Sequence, residues 1–250
     1  MFQTLKRLLS GGSNPPGWDA VASWADSAGH AFKRSRDGSG FVIESGVPAQ
    51  GWRLEWGPSQ RGYLPGQELR LRGDLKGGQD LQMMIVSRQL MESLEKQVFE
   101  QFTEGLQTRI DTETPEEMRW LVLYPKAPQI DSKLLKEAFG TVANSTGAIE
   151  QWLVGPLSSR LLEARGQWLA ADDPLLLIAL RGRLTLRTRM PEPDATRLRA
   201  IVGLFETALR EGRRAVELWT TSAHASTQPS LFNSGGAPAD SGLGDAGRGA

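Results

Sequence analysis

Between residues 30 and 87 the hydrophobic positions recur every second residue, the period of a β-strand with one dry and one wet face. Trp52, Leu54 and Trp56 alternate with Arg53 and Glu55, and Leu69 and Leu71 alternate with Glu68, Arg70 and Arg72. Residues 30–34 and 41–44 read as two further strands, with Asp37-Gly38-Ser39-Gly40 as the turn between them. Residues 46–51 and the Pro- and Gly-bearing stretch 57–66 make the next connections, and Gly77-Gly78 leads into 81–86, whose continuous apolar run predicts an internal strand. Strands of this kind joined by turns predict an antiparallel meander.

The period then changes to that of helices. Residues 18–28 place Val21, Trp24, Ala25 and Ala28 on one face, with Gly29 at the position of a left-handed C-cap. Residues 87–107 set Leu90, Leu94, Val98, Phe102 and Leu106 at successive i+4 steps, and this helix is expected to cover the meander. Thr114-Pro115-Glu116-Glu117 reads as a helix start, with Thr at the N-cap and Glu at N3. Residues 118–124 are too β-prone to decide whether that helix continues. Residues 131–140 and 147–164 read as helical, the latter kinked at Gly155-Pro156. Residues 168–171 and 175–190 are strand-like, and 194–218 form a helix with Leu198, Ile201, Val202, Phe205, Ala208 and Leu209 inward. The predicted class is α+β: an antiparallel β-meander packed by a helix, then a helical segment and a second strand-strand-helix unit. Four regions follow: an N-terminal segment and linker (1–17), a meander-plus-helix half (18–110), a second half with a closing helix (111–219) and a polar tail expected to be disordered (220–250). Within the first region, residues 2–9 suggest a short amphipathic helix that needs a surface to dock on.

Composition narrows the chemistry. None of the 250 residues is cysteine, which excludes disulfides, thiolate nucleophiles and thiolate metal sites. His30 and His224 are the two histidines, too few and too far apart in sequence for a multi-histidine metal site. Residues 1–10 carry Lys6 and Arg7 without an apolar signal core, and the longest aliphatic run, 175–180, is far short of the ~20 residues of a membrane span. A cytoplasmic protein is expected. The net charge is zero but unevenly placed: residues 76–118 hold four Lys/Arg against nine Asp/Glu, and residues 175–218 hold nine against five.

No phosphate loop, nucleophile elbow or dinucleotide fingerprint is present, so no cofactor and no catalytic residue is assigned. Asp111, Glu113, Glu116 and Glu117 form the densest carboxylate group and are read as helix-start residues that offset the dipole. The leading site candidate is the arginine strand. Alternation from 181 to 189 puts Arg181, Arg183, Arg187 and Arg189 on one face, and Arg70 and Arg72 alternate in the same way on their own strand. Such a row binds anions or an acidic partner, or else it is a solvated face whose arginines pair with Glu55, Glu68 or the acidic middle of the chain. Trp52 and Trp56 share a face and are expected to be core, or alternatively an apolar pocket beneath Tyr63. The function expected is that of a non-catalytic binding or adaptor protein, chaperone-like in type, with a protein partner. The alternatives are an enzyme acting on a phosphorylated or otherwise anionic substrate, and association with anionic membrane or nucleic acid through the arginine strand. Nucleic acid is disfavoured by the neutral charge and by the lack of aromatic residues among the arginines.

Overall fold

The computed structural model describes residues 17–48, 51–104, 114–126 and 132–226. The expected helix at 2–9, Asp111, Glu113 and the segment from 227 onward lie outside the described residues. Fifteen elements follow one another: α1 (Trp18–Ser27), β1 (Ala31–Arg34), β2 (Phe41–Glu44), β3 (Trp52–Pro58), β4 (Gln67–Asp74), β5 (Gln82–Ser87), α2 (Arg88–Glu104), α3 (Glu116–Leu123), α4 (Lys133–Ala138), β6 (Phe139–Ala143), α5 (Thr146–Leu153), α6 (Pro156–Gln167), β7 (Leu175–Leu180), β8 (Arg183–Arg189) and α7 (Ala195–Ser226). The class is α+β.

The eight strands form one antiparallel sheet in the order β1-β2-β3-β4-β8-β7-β5-β6. The meander runs through β4, and the β7–β8 hairpin stands between β4 and β5, so strands from both halves of the chain alternate in one sheet. The hairpin turn is Arg181-Gly182, both residues at positive φ (51° and 72°), as a two-residue type I′ turn requires.

Each face of the sheet carries its own core. On one face, Phe41, Ile43, Trp52, Leu54, Trp56, Leu69, Leu71, Leu186, Leu177 and Ile85 meet α1, α5, α6 and α7. α7 supplies Leu198, Ile201, Val202, Phe205, Ala208 and Leu209, all buried. Gly73 lets it approach closely, because a Cβ there would lie 2.7 Å from Leu209. Trp152 is fully buried and its indole N–H donates to the Ala208 carbonyl at 2.9 Å.

Among the described residues, helices cover the opposite face only at its β7-β5-β6 end, where Met84, Val86, Val142, Leu176 and Ile178 meet Leu90, Met91, Leu94 and Val98 of α2 and Met118 and Trp120 of α3. The 87–107 helix therefore does not cover the apolar residues of the meander, as expected, but the other side of the sheet. β5 is buried on both faces (Met83, Met84, Ile85, Val86), so its sequence favours neither.

Further differences are local. Residues 139–143, the first two of which fell within an expected helix, form strand β6. Residues 168–171 are not a strand, and residues 118–123 continue α3. α7 extends to Ser226, so the first seven residues of the expected tail are helical. Among the described residues no helix is long and apolar enough to cross a membrane.

Candidate functional site

Among the described residues no helix packs on the part of the second face that belongs to β2, β3, β4 and β8; the loop 59–66 lies against it, with Ser59 and Gln60 bonded to Glu68. In antiparallel pairs, directly opposite residues point to the same side. Arg53 faces Arg72, Glu55 faces Arg70 and Gly57 faces Glu68 across β3–β4, while Glu68 faces Arg189, Arg70 faces Arg187 and Arg72 faces Thr185 across β4–β8. The two arginine-bearing strands are thus neighbours, although 119 residues separate Glu68 from Arg187. Nothing in either segment announces the pairing.

Most of these arginines are neutralised. Arg187 donates to Glu68 at 2.5 Å, with the residues only 5% and 2% exposed. Arg70 pairs with Glu55, Arg53 with Glu55 and Glu44, Arg189 with Asp173, and Arg181 with Glu116 at 2.6 Å. Burial pushes the Glu55 carboxyl up, but hydrogen bonds from Arg70 and Arg53 outweigh it and hold the group below its ordinary range. Carboxylates thus balance Arg70, Arg187, Arg189 and Arg181, but Arg70 and Arg187 are buried rather than on a solvated face.

Arg72 and Arg183 differ. Among the described residues neither closes an ion pair, and Asp74, opposite Arg183, instead accepts the Lys76 backbone N–H at 2.7 Å. Burial, followed by the charge of Arg70 and those of Arg187 and Arg183, pushes the Arg72 guanidinium below its ordinary range, with Glu55 only partly opposing them. Both line a recess of about 390 Å³ together with Arg61, Arg181, Arg187, Thr185, Glu117, Ile178 and Leu180. This recess lies where the cover of α3 ends. Arginines of β4 and β8 form one side, and Ile178 and Leu180 of β7 form an apolar margin.

Glu117 anchors α3 at the rim. Only 3% exposed, it accepts hydrogen bonds from Arg61 Nε at 2.6 Å and from the Tyr63 hydroxyl at 2.5 Å. Burial raises the Glu117 carboxyl, yet the bonds from Arg61 and Tyr63 prevail and keep it below the usual carboxylate range. Burial, and then the Glu117 charge, raise the Tyr63 phenol.

Three site expectations are corrected by these positions. Trp52 and Trp56 do not form a pocket with Tyr63. They lie on the opposite face of the sheet, 3% and 8% exposed, packed with Trp18 and Phe41, and their indoles donate to Glu206 and to the Met190 carbonyl. Their core partners are α1 and α7, not the 87–107 helix. Arg181 is a turn residue rather than the end of the arginine row. The expected start of α3 is also corrected: Pro115, not Thr114, stands at the N-cap and has no side chain that could accept a hydrogen bond, and the Glu117 carboxylate is engaged by Arg61 and Tyr63 instead. The sequence marks Glu117 only as a helix-start residue, and the residues that sequence reasoning passed over are Arg61, Thr185, Ile178 and Leu180. Of these only Thr185 carried a signal, as the same-face residue between Arg183 and Arg187. Among the described residues no group of three His, Asp or Glu could hold a metal ion.

Among the described residues, fold and site together define an α+β protein whose eight-stranded sheet carries an arginine-lined recess on one face. No family model matches the chain, and no curated protein matches it in sequence. Among solved structures it is similar to the crystal structure of the mycobacterial trehalose monomycolate transport factor A, TtfA, at 12% identity over 77% of this chain and 94% of that one, with a TM-score of 0.41. A likeness of that size carries no functional weight.

Proposed function

We propose that the protein is a non-catalytic binding protein that receives an anionic partner on the sheet face that bears the recess, with the cytoplasm as its compartment. The observation behind this reading is that, among the described residues, Arg72 and Arg183 line a recess without a closed ion pair, whereas the arginines around them are neutralised. Like charges directly opposite or diagonal on a sheet are destabilising, so an arginine set among arginines needs a reason to be there. Arg181 adds a second local conflict, since it occupies a left-handed position that favours Asn or Gly. Binding fits better than turnover, because Glu117, the one carboxylate lining the recess, already accepts two hydrogen bonds.

The test is a titration of the protein with inorganic phosphate, sulfate, hexanoate and an oligoglutamate peptide at low and high salt. Binding of at least one anion is expected, weakened by salt and by Arg72→Gln with Arg183→Gln, with an unchanged circular dichroism spectrum. Equal binding by the double variant, or no binding at all, would overturn the proposal. Subcellular fractionation checks the compartment.

A further inference from the structure

We infer that the recess takes a phosphate monoester carried on a short apolar group. The dianionic phosphate lies between Arg72 and Arg183, and the apolar group lies over Ile178 and Leu180. The inference rests on the anion-binding reading above and specifies its ligand. Five arginines line the recess, and three of them, Arg61, Arg181 and Arg187, are matched by Glu117, Glu116 and Glu68. Among the described residues two guanidinium groups of the recess are left without an ion pair, which suits a ligand head with two negative charges.

Register fixes how they are arranged. Arg72 stands opposite Thr185, and Arg183 is the next same-face residue along β8, so Arg72 and Arg183 are diagonal neighbours roughly 7–8 Å apart at the backbone. Long guanidinium side chains reach inward across that distance, and their fork of donors matches phosphate oxygens in pairs. The half-buried Thr185 adds a hydroxyl between them.

One strand further on, Ile178 faces Thr185 and Leu180 faces Arg183. The rows therefore read from cation to hydrocarbon over about one strand spacing, ~4.8 Å, so a chain that continues past the ester's first carbon reaches the apolar row. The volume of about 390 Å³ falls within the range of small-molecule sites. No aromatic side chain lines the recess, so a nucleobase would find no stacking partner.

Isothermal titration with hexyl phosphate, hexyl sulfate, hexanoate and inorganic phosphate distinguishes the parts. Hexyl phosphate should bind at least ~10-fold tighter than the monoanionic hexyl sulfate, the ratio expected of one lost charged contact. Its affinity should fall as pH drops through about 6, where the phosphate takes up its second proton. Arg72→Gln and Arg183→Gln should each lower its binding, and Leu180→Asn should reduce it to the level of inorganic phosphate. Equal affinity for hexyl sulfate, or equal affinity of hexyl and inorganic phosphate, would overturn the inference while leaving an anion site. Failure of every anion would remove the anion site as well. Retention on vesicles containing phosphatidic acid, but not on phosphatidylglycerol vesicles, would identify the ester as a lipid headgroup. Binding of hexyl phosphate without vesicle retention would identify a soluble ester; both results uphold the inference.

Discussion

Arg72→Gln should leave the fold as stable as it was or slightly more so, whereas Arg187→Gln, one strand away, should weaken it severely. Arg187 donates to Glu68 Oε1, and both side chains are almost wholly buried. Removing one member of such a pair costs about 3–5 kcal/mol, because the other is left charged in a dry place. Glu68 Oε2 keeps its bonds from the Ser59 hydroxyl and the Gln60 N–H, which places the expected loss at the lower end, about 3 kcal/mol. Arg72 has no such partner and faces Arg53 directly, with Arg187 and Arg183 on its two diagonals. At roughly 7–8 Å, and with an effective dielectric between about 20 and 80, each like-charge pair costs about 0.5–2 kcal/mol. Glu55 and solvent screening return part of this, so neutralisation should gain ~0–1 kcal/mol. The assay is urea unfolding followed by tryptophan fluorescence at about 20 mM and about 1 M NaCl, where a Debye length near 3 Å should erase the gain. A loss above about 2 kcal/mol for Arg72→Gln, or a shift insensitive to salt, would refute the reasoning and make Arg72 a structural member of the sheet.

Glu117→Gln should lower the melting temperature at neutral pH and flatten its acid dependence. The folded carboxyl titrates below its ordinary value of 4.5, so its stabilisation is complete above that value and is lost as pH falls through the folded pKa; melting curves from pH 6 to 3 test this. Arg181→Asn should stabilise the β7–β8 turn by about 0.5–1 kcal/mol while weakening anion binding, read by unfolding and titration of the same sample. Gly40→Ala should cost about 2 kcal/mol or more, because its Cβ would lie 2.1 Å from the Trp56 carbonyl oxygen and push β2 from β3; thermal unfolding measures it. Trp152→Ala should cost about 3–5 kcal/mol, since it empties a fully buried indole site and leaves the Ala208 carbonyl without its donor.

The elements were legible where one face of a segment is dry. Trp52-Leu54-Trp56 and Leu69-Leu71 alternate visibly, and the inward residues of α7 repeat at helical spacing, so β3, β4 and α7 follow from period alone. The order of strands did not. The hairpin that separates β4 from β5 pairs residues more than a hundred positions apart, and such pairing is decided by the shape of two packed layers rather than by any local signal. β6 was missed because Phe139-Gly140-Thr141-Val142-Ala143 follows α4 without a turn residue and is buried throughout, which removes the alternation. α2 was assigned to the wrong face for a related reason, since β5 offers apolar side chains on both.

The site was legible as residues and not as a site. Alternation alone places Arg183, Arg187 and Arg189 on one side of β8, but whether a guanidinium there is neutral or unsatisfied depends on carboxylates brought in from elsewhere. Glu68 reaches Arg187 from the meander, Glu117 reaches Arg61 across 56 residues, and Glu116 reaches Arg181 across 65. Two of these long-range pairs neutralise Arg187 and Arg181 of the arginine row, and the third neutralises Arg61, which the sequence did not single out. What they leave is Arg72, whose own strand gave it no distinction from Arg70, and Arg183, whose opposite number Asp74 is turned toward Lys76. A cation row is common on a sheet and is worth little by itself. Two cations that close no ion pair among the described residues, beside an apolar margin that the same strand pairing supplies, are a property of the tertiary fold, and the proposed anion site rests on them.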